Sequence, residues 1–303
     1  MILKYFLIII VAILIIMLFI KCDDSPFDVP EEKFEIKIAE NCTGINNVLF
    51  HTGEPLNLIQ SPPLDEISGM AASINNPGYY WVHNDSGSPP NLFLLDSNGN
   101  LVATYRVTSG NRDWEDIACV KNPFDCKSYI YIGDIGDNNA IRTNIKIIEI
   151  EEPKIVNFDT SIITDLQHNR EIFFKYPDGA KDAESLLIDP ISIDLFVINK
   201  REGFSRVFTS KYPYCEEINE LEHIATLPFN TATGADISPD GKEILVRNYI
   251  RVYYWTRKGR ELLKYTFQQN PQCLPLISEP KGESICFDCK KNGILHNKRS
   301  RGR

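Results

Sequence analysis

The chain has 303 residues, 43% of them hydrophobic, and a formal net charge of −9 at neutral pH. That is enough chain for one large β or α/β domain or two small ones, and enough apolar content to bury a core, so a disordered polymer is excluded. The negative charge argues against sequence-independent nucleic-acid binding, which needs a positive surface, and points to a cation or a neutral ligand instead.

The first element is "YFLIIIVAILIIMLFI", Tyr5 to Ile20, an uncharged run after Lys4. A secretory apolar region usually spans about 7–15 residues and a membrane-crossing helix about 20, so this run lies between the two. No small-residue cleavage site follows it, and Lys21 beside Cys22 fits a lipoprotein site poorly. The reading is a hydrophobic anchor helix or signal peptide over 1–22, then a linker over 23–32. The bulk of the chain is then extracytoplasmic, either held to the membrane by this single segment or secreted.

The eight cysteines suit an oxidising compartment. Cys119 and Cys126 flank the short hairpin "CVKNPFDC", where a disulfide is geometrically reasonable. Cys286 and Cys289 form a C-x-x-C without the second ligand pair that zinc needs. Sequons for N-glycosylation stand at Asn41 and Asn84.

From Glu66 onward the chain repeats itself. "DEISGMAAS", "DWEDIACV", "DAESLLIDP", "GADISPDG" and "GESICFDC" each place an acid, a short spacer and an apolar strand start. The acids are Glu66, Glu115, Glu184, Asp236 and Glu283, spaced by 49, 69, 52 and 47 residues. The first unit continues with "YYWVHND", "NLFLLD" and "LVATYRV", separated by Gly- and Asn-rich turns. The second gives "IACV", "YIYIGD", "IKIIEI" and "EIFFKY", with an excess over 152–169. The third gives "SLLID", "DLFVIN", "RVFTS" and "HIATL", and the fourth "ADIS", "EILVRN", "VYYWTR" and "ELLKYTF". The fifth has "SICFD" and "GILH".

Four short strands per 40–50 residues is the pattern of a β-propeller blade. The expected fold is therefore all-β: a single propeller over 33–289, of five four-stranded blades, or six if the long interval hides one. "KFEIKIAE" (Lys33 to Glu40) and "PLNLIQS" (Pro55 to Ser61) are available to complete the last blade. Residues 290–303, with six Lys and Arg, read as a solvated basic tail.

In such a fold the first strand of each blade lines the channel, so the five acids would gather at one end. Converging carboxylates repel unless a cation, protonation or main-chain donors compensate. Calcium, with six to eight oxygen ligands, suits such a mouth. The alternative is that each acid accepts backbone N–H groups of its own turn. Glu115 has Asp113 and Asp116 beside it, and one cap does not need three acids. The loop "GDIGDNN" adds Asp134, Asp137, Asn138 and Asn139 as oxygen donors, though without EF-hand spacing. His83, Asp85 and Ser86 are too close in sequence for a catalytic triad. Lys200, Arg201, Arg206, Arg247 and Arg251 would form either a basic patch or salt bridges on the blade surfaces.

The series "EISGMAASINNPGYYWVHNDSGSPPNLFLLD", "DWEDIA", "YIGDIGDNN", "YPDGAKDAESLLIDP", "GADISPDGKEILVRNY" and "KGESICF" resembles a family of secreted, mostly bacterial propeller-like proteins, over about residues 60 to 287. More loosely it is similar to the phytase-like and lactonase-like extracytoplasmic propellers. The resemblance implies fold more than activity.

The expected function is binding, by a propeller displayed outside the cell, of a cation or small ligand at the channel mouth. The expected cofactor is calcium or none. The alternatives are a calcium-dependent phosphate or ester hydrolase, with Glu115 or Asp116 as general base, and a ligand-free scaffold for a protein partner.

Overall fold

The computed structural model describes residues 66–156, 159–276, 281–289 and 293–298, together with 35–42 and scattered positions between 44 and 64. The expected anchor lies outside the described residues. Among those described, no helix is long and apolar enough to cross a membrane.

The protein is an all-β propeller. The first blade holds β1 (Ile67–Ala72), β2 (Tyr79–Asn84), β3 (Asn91–Asp96) and β4 (Leu101–Val107), all antiparallel, and the second begins with β5 (Trp114–Lys121), β6 (Ser128–Asp134) and β7 (Ile145–Glu151). The excess sequence returns to the first blade as β8 (Ile163–Leu166), parallel to β4. The second blade is completed by β9 (Arg170–Lys175). The third is β10 (Ala183–Ile188), β11 (Leu195–Asn199), β12 (Arg206–Ser210) and β14 (Glu222–Thr226), while β13 (Ile218–Glu220) adds a parallel edge to β9. The fourth is β15 (Ala232–Ile237), β16 (Glu243–Asn248), β17 (Val252–Thr256) and β18 (Gln272–Leu274).

Four blades are thus complete, fewer than the five or six expected. The last unit is a two-stranded sheet of β19 (Gly282–Phe287) and β20 (Ile294–Lys298). It still closes the ring, because β19 packs between β15 and β1. The inner strands β1, β5, β10, β15 and β19 follow one another around the axis in chain order.

Two expected strands are placed differently. "ELLKYTF" forms a helical turn at Leu263–Thr266 rather than a strand, because Leu263 and Phe267, one turn apart, both bury into the seam between the third and fourth blades. Ile38, in the segment expected to complete the last blade, bridges Thr226 on the third blade instead. Further along, Ile45 bridges Cys273, and Phe50 packs edge-on against Tyr254. A Cys42–Cys273 disulfide ties this segment to β18.

The core is a set of seams between neighbouring sheets. Trp81, Leu92 and Leu94 meet Trp114, Ile117 and Ile132 between the first two blades. Leu186 faces the seam with the second blade while Leu187 faces that with the fourth. Period-two alternation therefore sends neighbouring apolar residues to opposite seams, which is why middle strands such as β3 (NLFLLD) and β11 (LFVIN) read as nearly unbroken apolar runs.

Cys119 and Cys126 are free thiols, not the expected pair. Cys119 lies opposite Ile130 in the ladder and packs toward the first seam, whereas Cys126 is exposed in the hairpin turn. Asn84 is also unsuited to a glycan: it is buried and its amide donates to the carbonyl of Pro63 (2.6 Å). Asn41 is exposed.

Candidate functional site

Every inner strand starts with a β-bulge, and the bulges define the true register of the repeat. The ladders slip between Ile67 and Gly69, Trp114 and Asp116, Ala183 and Ser185, Ala232 and Gly234, and Gly282 and Ile285. Ser68, Glu115, Glu184, Thr233 and Glu283 therefore occupy equivalent places. Glu66 lies two residues before that place and Asp236 three after it. The expected five-acid ring is a ring of three acids, with hydroxyls in the other two positions. All five bulge side chains are buried. The Ser68 hydroxyl donates to the Glu115 carbonyl (2.8 Å) and lies 3.3 Å from its carboxylate, and the Thr233 hydroxyl donates to the Gly282 carbonyl (2.9 Å).

Asp116 and Asp236 belong to a different tier. Asp116 is wholly buried. Its Oδ1 accepts from its neighbour Ile117 N (2.9 Å), and its Oδ2 accepts from Leu186 N on β10 (2.9 Å) and Ala235 N on β15 (3.2 Å). One carboxylate therefore ties three inner strands across the axis. Asp236 ties β15 to β19 in the same way, accepting from Ile237 N (2.8 Å) and Phe287 N (2.7 Å). Burial pushes the Asp116 carboxyl well above the usual range and Asp236 up to about 7. These two acids are spent on backbone donors, which removes Asp116 as a general base.

Around the bulge tier the carboxylates converge. Asp85, Asp113 and Glu115 each offer an oxygen within 4.8 Å of the others, and so do Glu115, Asp182 and Glu184. Asp85 follows β2, while Asp113 and Asp182 each stand two residues before a bulge acid. The loop after β6 runs over this cluster: Gly136 N donates to the Asp113 carbonyl (3.1 Å), and any side chain at Gly136 would collide with the carboxylates of Glu115 and Asp113. Glycine lets the loop approach these carboxylates closely without displacing them.

The two triads differ in their partners. Asp182 pairs with Arg201, and Glu184 with Lys200. Among the described residues, neither Asp113 nor Glu115 has a cationic group within ion-pair distance. Burial first, then Glu184, Asp85 and Asp113, raise the Glu115 carboxyl well above its ordinary value. Burial and the charge of Asp85 raise Asp113, against a hydrogen bond from Ser86. Burial pushes Glu184 up to about 8 despite Lys200, whose own ammonium is held above its usual range by Glu184 although burial opposes it.

The loop proposed as a cation site uses its oxygens locally. Asp134 accepts from Arg142 Nη1 (2.9 Å), Asp137 accepts from Arg142 N (2.7 Å), and Asn138 accepts from Arg201. Asp134, Asp137 and Asn138 therefore frame the mouth without converging on a point. Arg206 likewise pairs with Asp178 and Glu202, and buried Arg247 donates to the carbonyls of Ser284 and Asn297, so no open basic patch forms from these residues. His83 is buried edge-on to Trp114 (5.6 Å).

Sequence reasoning missed Asp85 and Asp182 as site members. For Asp182 the signal was present: "DAE" repeats the D-x-E of "DWE", which the other bulge units lack, whereas Asp85, at the end of β2, is outside that motif.

Fold and site together define a β-propeller with an acid-rich mouth. No protein family and no curated protein matches this sequence. Among solved structures, the chain resembles the Dos1 propeller (11% identity, 77% of this chain and 55% of that one, TM-score 0.38). It also resembles the nidogen/laminin complex (11%, 77% and 76%, 0.43) and an auxiliary nutrient binding protein from Bacteroides thetaiotaomicron (13%, 69% and 42%, 0.42). The chain thus spans about half the length of the first of these. The propeller itself is read from the sheets.

Proposed function

We propose that the protein is an extracytoplasmic binding propeller that holds a divalent cation, calcium by its chemistry, at the bulge end of the axis. The observation that carries this is the pair of three-carboxylate groups sharing Glu115. Hard oxygen donors in that number suit calcium, which accepts six to eight of them at flexible geometry. The triad of Asp85, Asp113 and Glu115 is the preferred site, because Asp182 and Glu184 already face Arg201 and Lys200. The Cys42–Cys273 disulfide supports an oxidising compartment. No reaction is assigned: Asp116, one of two candidate bases, is bound to backbone donors.

The test is thermal unfolding of the full chain in calcium and in EDTA. A cation bound only by the folded state stabilises it by about 2.7 kcal/mol at a hundredfold excess over Kd. A midpoint that does not move at millimolar calcium overturns the reading.

A further inference from the structure

We propose that a separate cleft, beside the acidic mouth on the second blade, binds a compact oxyanion such as a carboxylate or phosphate group. The cleft is a cavity of about 300 Å³ lined by Arg112, Asp134, Arg142, Asn144, Lys146 and Glu171, among others. Its position follows from register. Asp134 on β6 lies opposite Lys146 on β7, which lies opposite Phe173 on β9, and Glu171 shares the face of Phe173. Arg112 closes the row from the connection between β4 and β5.

The hydrogen-bond account of this cleft does not balance. Three cations meet two carboxylates; Asp134 is engaged through both oxygens and Glu171 through one. Asp134 accepts from Arg142, lies 3.8 Å from Lys146, and receives the backbone N–H groups of Arg112 (3.4 Å) and Asp113 (3.3 Å). Glu171 accepts from Ser109 (2.5 Å) and Lys146 (3.0 Å) through a single oxygen. Donors are left over. Arg142 is only 8% exposed: its Nη1 donates to Asp134 (2.9 Å) and to the Gly136 carbonyl (2.8 Å), and its Nε is shut off from the cleft, so it lends the cleft positive charge. The exposed Arg112 guanidinium forms no ion pair among the described residues. The exposed planar fork of Arg112 matches carboxylate and phosphate oxygens, and Lys146 and Arg142 add positive charge beside it.

The surroundings limit what can enter. The cavity admits one anionic group and a small body, and the acids at the neighbouring mouth repel a polyanion. Arg112 and Arg142 also line a second cavity of about 220 Å³ with Asp113, Asp137 and Asn138, on the side of the mouth. A bound head group would therefore sit next to the acid cluster without sharing its carboxylate triad.

The experiment titrates the full chain with inorganic phosphate and, separately, with acetate. Unfolding midpoints and calorimetric heats are read after stripping with EDTA and dialysis into metal-free buffer, so that neither a cation at the mouth nor the chelator's carboxylates take part, with ionic strength fixed by potassium chloride. A saturable rise with either anion supports the site and identifies the head group. Arg112→Gln should weaken that binding about tenfold, the loss expected for one charge-assisted hydrogen bond. Lys146→Gln should do the same, and Arg260→Gln, exposed in the turn after β17 of the fourth blade, should not. A response no greater than that to chloride, or one unchanged in Arg112→Gln, overturns the proposal. Because Arg112 is exposed, its replacement does not threaten the fold.

Discussion

Asp116 provides the sharpest test of how this propeller is held together. Three backbone N–H groups from three inner strands converge on its two oxygens, at 2.9, 2.9 and 3.2 Å. Asp116→Ala removes every acceptor at once. A buried donor left unsatisfied costs about 1–3 kcal/mol, so three of them cost about 3–9 kcal/mol, comparable to the whole stability of a domain at about 5–15 kcal/mol. The relief of no longer burying a carboxyl offsets part of this. Asp116→Asn is milder: the amide keeps one oxygen and orphans the donor facing its nitrogen, a loss of about 1–3 kcal/mol. Urea unfolding at neutral pH, followed by tryptophan fluorescence, measures both, since Trp114 lies in the seam beside this strand. The graded order, parent above Asn above Ala, is the expected result. An Asp116→Ala protein within about 0.5 kcal/mol of the parent would sink the argument, because surface-like tolerance is incompatible with a three-strand tie.

The remaining predictions concern the mouth, pH and the disulfide. Glu115→Gln should abolish the calcium-induced rise in midpoint while raising stability in EDTA at alkaline pH, where the raised Glu115 carboxyl is ionised beside Glu184, Asp85 and Asp113; a variant that still responds to calcium contradicts the assignment. Glu184, at about 8, and Asp236, at about 7, are raised acids that hold their protons more tightly folded than unfolded. Their contribution is complete below the unfolded values near 4 and is lost as pH rises through 7 to 8, at about 1.4 kcal/mol per pH unit for each group. Calcium-free stability should therefore fall from pH 5 to 8, and a rise over that window in urea titrations would refute the assignment. Reduction of Cys42–Cys273, which closes a sequence separation of 231 residues, should lower stability by about 2–5 kcal/mol, read as the midpoint with and without dithiothreitol. An unchanged midpoint would mean that the segment around Cys42 does not restrain the propeller.

The strands of the first and third blades were legible because turn residues punctuate them. Between β3 and β4, Asp96 accepts from Asn98 N and Asn100 N, and Gly99 takes a positive φ of 79°. β8 was not legible. Its residues are largely exposed and pair in parallel with a strand nearly sixty residues earlier, which no local pattern records. β18 was missed because the apolar spacing of Leu263 and Phe267 belongs to a helical turn, read too readily as a strand. The acid ring failed for a subtler reason. Matching acid to acid placed Asp236 in register with Glu115, whereas the bulge is marked by the small residue that follows it: Gly69, Ser185, Gly234 and Ser284. Asp116 takes that small-residue position in the second blade, so it alone can reach across to β10 and β15.

This also resolves why "DWED" crowds three acids at one strand entrance. A single bulge separates two environments over one residue step. Asp113 and Glu115 stand on the mouth side, where carboxylates gather with oxygens within 4.8 Å and a cation would relieve them. Asp116 stands on the axis, where backbone donors already do so. The two tiers must then respond oppositely to the same chemical change. Neutralising Glu115 removes repulsion and should stabilise the cation-free protein at alkaline pH, whereas neutralising its neighbour Asp116 removes acceptors and should destabilise it. Opposite signs at adjacent residues cannot come from a general effect of lowering the protein's negative charge. They follow only if the bulge sorts the acids as the ladder register indicates.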